Sequence, residues 1–320
     1  MITQRRLRHL LLLVEYGHFG RAAAALKISQ PALSKSIQAL EGELGVMLLD
    51  RKRGAVVLTA FGELVVRRSK SLLSAEDDLR REIALLADLE IGALQVALGP
   101  YPSVVSGYPA MARLLARRPK ITVAMRVAGW REVVHQVVTR EVDLGLAELS
   151  GVQENEQFIT EPVGQHQGRV FCRPGHPVLS SGRVVLPDLL AYPWMAPCFP
   201  PRVAAGLPRT LGCAGKIDPF TGDFVPAIRV DVPIQVADLL AGCDALAFSS
   251  LALMERDLDA GRVALVASGN LAFRASYGFI YLKDRSLTPA ALAYMDEVRA
   301  VEAEIVEREA ELAERYSERL

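Results

Sequence analysis

The sequence predicts a mixed α/β chain in which a helical head, one long helix and a two-lobed strand–helix region follow one another. Three observations predict it. Residues 1–59 read as helix, short helix, turn, helix and a two-stranded wing. Residues 60–91 form a helix-favouring run with a seven-residue apolar repeat, and from residue 92 short apolar strands alternate with helices. At 320 residues the chain is long enough for two or three domains.

In the head, Thr3 to Tyr16 reads as a first helix with Leu7, Leu10, Leu11 and Val14 inward, ended by Gly17. Phe19 and Arg21 to Leu26 form a short second helix whose alanines permit close packing. Ser29 is a suitable N-cap and Pro31 falls in the first turn of a third helix, where a missing N–H costs little. Leu33, Ile37, Leu40 and Leu44 make its apolar stripe, and Pro31, Ser34, Lys35, Gln38 and Gly42 lie roughly opposite. That small, polar and basic face suits a DNA major groove, although an ordinary solvated helix face has the same composition. Beyond Gly45, two short strands flank Arg51, Lys52, Arg53 and Gly54, a wing tip suited to phosphates or a minor groove.

The spacing of these residues resembles the winged helix-turn-helix of LysR-type transcriptional regulators. G-x-F-x-x-A-A lies at Gly17 to Ala23, S-Q-P-A-L-S at Ser29 to Ser34, I-x-x-L-E-x-x-L-G at Ile37 to Gly45 and L-T-x-x-G at Leu58 to Gly62. Leu49 stands where that family usually has Phe, a core exchange, and His18 where it usually has Ser, a change open to either a backbone contact or a solvated side chain. The resemblance implies a DNA-binding domain over 1–59, with Arg21, Ser29, Gln30, Pro31, Ala32, Ser34, Lys35, Gln38, Arg51 and Arg53 as candidate DNA-facing residues.

Residues 60–91 read as a linker helix. Val65, Leu72, Leu79 and Leu86 repeat every seven residues, the mark of a seam that needs a partner. The partner is either the same helix of a second subunit, which the family favours, or the chain itself.

Residues 92–320 resemble the effector-binding part of the same family, two lobes like those of periplasmic binding proteins. Asp143 to Leu146, Pro174 to Pro177 and Leu239 to Ser250 carry the resemblance, with Cys243-Asp244 where Gly-Leu is usual. Alternating units imply parallel sheets covered on both faces. Lobe I is read as 92–163 and 269–320, lobe II as 164–268, with crossings near Val163 and Ser268. Ligands of such sheets collect beyond the strand carboxyl ends, at helix N-termini. The candidate effector residues are therefore Tyr101, Pro102 and Ser103 after the first strand, Trp130 at the next helix, and Pro197 with Arg202 in the second lobe. Trp130 would either stack on a ligand or plug the cleft, and Arg202 would be either a carboxylate partner or an exposed loop residue.

Charge and composition bound the function. Acidic and basic residues balance at 37 each, yet residues 1–70 hold twelve Lys and Arg against five Asp and Glu, and residues 296–320 hold four against nine. A basic head on a neutral chain suits a polyanion. No apolar run reaches membrane length, and no targeting segment stands out, so a cytoplasmic protein without membrane partners is expected. The cysteines Cys172, Cys198, Cys213 and Cys243 lack metal-site spacing; no metal or cofactor is expected. No G-x-S-x-G, P-loop or dinucleotide motif argues for an enzyme. The expected function is sequence-specific regulation of transcription under a small-molecule effector, with double-stranded DNA, a homodimer or homotetramer and RNA polymerase as partners. The alternatives are a redox-sensing regulator using Cys198 and Cys213, and a two-lobed binding protein or enzyme.

Overall fold

Glycine and capping side chains set the helix ends of the head in the computed structural model, which describes residues 2–50, 56–86, 93–153, 155–180, 184–231, 236–268 and 273–316. Helix α1 (Gln4–Tyr16) ends on Gly17, whose positive φ of 61° returns its N–H to the Leu13 carbonyl. Helix α2 (Phe19–Ala25) starts at His18, where Nδ1 accepts the Gly20 N–H at 3.0 Å. His18 thus does the capping work of a Ser. Helix α3 (Gln30–Leu44) starts at Ser29, whose Oγ accepts the Ala32 N–H. Its stripe of Leu33, Ile37 and Leu40 closes on Leu7, Leu10 and Leu13 of α1. Leu13 and His9 lie deeper than Leu11 and Val14, a shift of the buried face from the sequence reading; His9 meets the Ser36 hydroxyl at 2.7 Å.

Strands β1 (Leu49–Asp50) and β2 (Val57–Leu58) pair antiparallel, and Leu49 fills the core as expected of an exchange for Phe. Buried Glu41 of α3 accepts the Leu48 and Leu49 N–H groups and pins the strand to the helix. The wing tip with Arg51, Lys52 and Arg53 lies outside the described residues. Helix α4 (Ala60–Leu86) follows, and its Gly62 is required because a Cβ there would fall 2.1 Å from the Leu48 carbonyl oxygen. Leu73 of α4 is buried in the head core, whereas Phe61, Leu64, Leu72, Leu79 and Ile83 are exposed. Spaced by 3, 8, 7 and 4, these five fall on one stripe of the helix.

The lobes form a separate compact unit. Lobe I contains β3 (Ala93–Leu98), α5 (Pro100–Pro102), a π-helical turn (Ser103–Gly107), α6 (Tyr108–Arg117), β4 (Thr122–Val127), α7 (Trp130–Val138), β5 (Leu144–Ala147) and β6 (Phe158–Gln167). Lobe II contains β7 (Arg169–Cys172), α8 (Leu186–Leu190), β8 (Trp194–Ala196), α9 (Pro201–Ala204), the hairpin β9 (Gly215–Ile217) and β10 (Phe224–Pro226), β11 (Ile228–Arg229), α10 (Val236–Leu240), β12 (Leu246–Ser249), α11 (Leu251–Asp259) and β13 (Ala264–Leu265). The chain returns through β14 (Arg274–Leu282) and ends in α12 (Pro289–Arg315).

Neither sheet is purely parallel, contrary to the sequence expectation. Their orders are β4-β3-β5-β14-β6 and β11-β8-β12-β7-β13, with β14 antiparallel to both neighbours and β7 antiparallel to β12 and β13. The reason is the direct crossing between lobes: β6 leaves lobe I while β14 re-enters beside it, so the two must run oppositely. Strand β6, which the sequence reading missed, keeps this pairing to Gln167 opposite Arg274. The crossings therefore sit at Gly168 and Phe273, a few residues beyond Val163 and Ser268 on the lobe II and return sides respectively.

Both crossing strands are tied to α12 by a buried polar cluster. His166 of β6 is enclosed, with Nε2 2.9 Å from Glu302 and Nδ1 3.1 Å from Glu309. Tyr277 of β14 donates its hydroxyl to Glu302 at 2.6 Å, and a bulge at Tyr277/Gly278 lays its ring over Gly164. Helix α12 packs Ala291, Tyr294, Met295 and Val298 on lobe I and Leu312 on lobe II. It spans both lobes. Burial alone would lower the His166 pKa, but the two carboxylates outweigh it and raise it to about 9.

A proton held more tightly in the folded state stabilises it fully below pH 6.5, and that contribution fades as pH rises through about 9. Thermal melts between pH 6.5 and 9.5 are therefore expected to show falling stability, by on the order of 3 kcal/mol at most. His166→Gln removes the titrating group and should start lower and lose most of the slope. An equal slope in the variant would assign the effect elsewhere.

Candidate functional site

The exposed surface of α3 is what its N-cap and stripe leave over. Gln30, Pro31, Ala32, Lys35 and Gln38 are exposed, Ser34 is half-buried, and Arg21 is exposed on α2. Gln30, Ser34 and Gln38 line one recess with His18, Phe19 and Asp50. Ser29 is committed to its cap. Arg51 and Arg53 fall outside the described residues.

A second cavity, of about 480 Å³, opens between the lobes. Its floor is aromatic: Phe248 and Phe273 have centroids 5.2 Å apart, Phe199 stands 5.9 Å from Phe248, and Trp194 backs Phe248 at 4.4 Å. Tyr101, Pro102, Trp130, Pro197 and Arg202 all line it, as expected from the strand ends.

Ser103 does not. It is fully buried, its Oγ donates to the Pro100 carbonyl at 2.6 Å and its N–H is bonded to the Gly99 carbonyl. Pro100 and Pro102 have no N–H at all. The first turn of this helix is therefore poor in free donors.

Among the described residues two ion pairs cross the cleft. Arg202 of lobe II grips Glu148 of lobe I through Nε at 2.9 Å and Nη2 at 2.5 Å, so its carboxylate partner is internal. Arg131 of lobe I holds Asp223 of lobe II through Nε and Nη2, both at 3.2 Å, and the Thr221 carbonyl at 3.0 Å. At Trp130 the Arg131 guanidinium lies 4.1 Å over the ring, and the ring edge rests against Gly151. The ring is a platform for the second pair.

Arg131, Glu148, Asp223, Phe248, Phe273 and Arg274 were not singled out by sequence. Glu148 follows the last residue of β5, Arg131 follows Trp130 at the start of α7 and Phe248 lies near the end of β12, so the strand-end rule points to these three; Asp223, Phe273 and Arg274 come from other segments and carry no such signal. All four cysteines are free thiols. Cys198 lines the cleft, but burial pushes its pKa up, and Cys213 is exposed before β9; the redox alternative finds no activated thiolate in Cys198. Among the described residues no cluster of three metal-binding side chains occurs, and no helix is long and apolar enough to cross a membrane.

Comparison with known proteins agrees with this architecture. Residues 4–63 match the family described as bacterial regulatory helix-turn-helix protein, lysR family, and residues 87–303 match the LysR substrate binding domain. The SDS degradation transcriptional activation protein of a Pseudomonas species is 35% identical over 293 residues, covering 90% of this chain and 93% of its own. In fold, a full-length OxyR variant from Pseudomonas aeruginosa superposes with a TM-score of 0.61 at 19% identity, covering 93% of this chain and 98% of that one. The regulator CbnR in complex with its target DNA gives 0.59 at 18% identity, covering 94% and 100%. The protein belongs to the LysR family of transcriptional regulators, with a DNA-binding helix-turn-helix head and a two-lobed effector-binding region.

Proposed function

We propose that α3 reads an operator in the major groove, that α4 pairs two copies of the chain, and that the inter-lobe cavity holds the small molecule controlling transcription. The cavity carries the last of these: it is roomy, has an aromatic floor, and is bordered by charged groups from both lobes. Gln30, Ser34, Lys35 and Gln38 are assigned to base edges, with Arg21, Pro31 and Ala32 beside them and Ser29 setting the helix start. Arg51 and Arg53 are assigned to phosphates. Tyr101, Pro102, Trp130, Pro197 and Arg202 are kept as effector-side residues, and Ser103 as a structural one. The protein acts in the cytoplasm as a homodimer or homotetramer, with RNA polymerase as the partner through which it acts. A ligand changes output only by binding two arrangements of the protein unequally.

Lys35→Ala should weaken specific binding by about 1–3 kcal/mol if Lys35 contacts a base. Fluorescence anisotropy on DNA from the protein's own upstream region, against scrambled DNA, checks this. An equal loss on both would make Lys35 a phosphate contact, and no binding by the parent protein would remove the operator assignment.

Leu72 and Leu79 lie on the exposed apolar stripe of α4, each more than half exposed. Leu72→Glu with Leu79→Glu places charge in a seam and should dissociate the oligomer and lower operator affinity. Sedimentation velocity decides: an unchanged sedimentation coefficient would show that the stripe is not the dimer contact.

A further inference from the structure

The charges around the inter-lobe cavity are not evenly arranged. Arg202 donates to the Arg274 carbonyl at 3.3 Å, which brings Arg202 beside the Arg274 backbone; Glu148 is the acid paired there, and among the described residues Arg274 has no carboxylate partner. That end, at the crossing strands, carries one positive charge in excess. The other charged residues lining the cavity, Arg131 with Asp223 and Glu132 and the Arg229–Asp231 pair, carry one negative charge in excess. The apolar floor reaches the positive end through Phe273, which precedes Arg274 and packs on Phe248 and Phe199, and it reaches Asp223 through Phe199, which stacks on Phe224 at 5.6 Å.

From this geometry, and resting on the reading of the cavity as the effector site, we infer that its ligand is an anion with an extended apolar body, of the alkyl or aryl sulfate or carboxylate class, whose acid group takes Arg202 over from Glu148. The body lies on Phe199, Phe248 and Phe273. Arg274 adds the charge that makes the exchange favourable for an anion. The α5 N-terminus is a weaker anion site, because Pro100 and Pro102 lack N–H groups and that of Ser103 is already used, which leaves the N–H of Tyr101.

The displaced Glu148 keeps a partner, for its Oε1 also accepts the Ser150 N–H at 3.0 Å. A guanidinium released by a cationic ligand would instead be left with a carbonyl beside Arg274. The exchange also has a mechanical result. Glu148 belongs to lobe I and Arg202 to lobe II, so the anion replaces a direct bond between lobes with one through itself. Arg131–Asp223 then remains as the direct tie across the cleft among the ion pairs described here. Ligand binding is thereby coupled to lobe position, which is the differential affinity regulation requires.

Isothermal calorimetry on the full chain tests this with four probes below their micellar concentrations: octyl sulfate, octanoate, 1-octanol and octylammonium. At least one of the two anions is expected to bind about ten-fold or more tightly than either other probe. Glu148→Gln removes the internal competitor and should tighten anion binding several-fold while leaving octanol unchanged, and Arg202→Gln should erase the preference for anions. Melting curves of both variants verify folding. Octanol or octylammonium binding as tightly as both anions, no binding by any probe, or no tightening in Glu148→Gln overturns the inference. Val203→Trp, which fills the cavity from α9, separates this from failure of the cavity assignment. If it abolishes binding of whichever probe binds, the cavity stands even where the anion preference does not; if anions bind unimpaired, the cavity assignment and the inference fall together.

Discussion

The antiparallel pair β6 and β14 is the constraint on which the two-lobed region depends. The chain leaves lobe I and returns to it there, and the pair is fixed to α12 by a histidine clamped between two glutamates. A buried charge of this kind is tolerated because both ring nitrogens and the adjacent tyrosine hydroxyl find partners; stripped of one partner, the cluster would leave an uncompensated charge in the core. Tyr277 joins this cluster and also lines the cavity. The crossing strands and the inter-lobe cavity therefore share a side chain.

Ion pairs across the cleft join the two lobes by polar rather than apolar contacts. A partly exposed pair contributes on the order of 1 kcal/mol, so the two together hold this arrangement of the lobes only weakly. The bidentate hold of Arg202 on Glu148 and the stacking of Arg131 on Trp130 give direction to interactions that would otherwise be loosely oriented.

The head solves a different problem. A small unit has little core to spend, and its polar side chains accordingly hold the ends of elements: His18 and Ser29 start helices, Glu41 ties the wing to α3, and Gly62 lets α4 approach the Leu48 carbonyl. What remains exposed on α3 is short, polar and basic.

The sequence by itself determined everything carried by local periodicity and capping. The α3 stripe, the Ser29 cap, the glycine stops, the long α4 and the alternation of strands with helices follow from side-chain spacing along one segment. The motif spacing of the head and the strand-end rule for the cleft belong to the same kind of signal. Tertiary structure alone decided the mixed sheets, because strand direction depends on where the chain comes back, and β6 alternates too weakly to announce itself before Pro162. It also turned Ser103 inward, gave Arg202 an internal carboxylate 54 residues away and brought His166 to Glu302 and Glu309. Each of these is a meeting of polar groups distant in sequence. Hydrogen-bond partners across a fold are chosen by the packing of the elements that carry them, and no spacing along the chain encodes that choice.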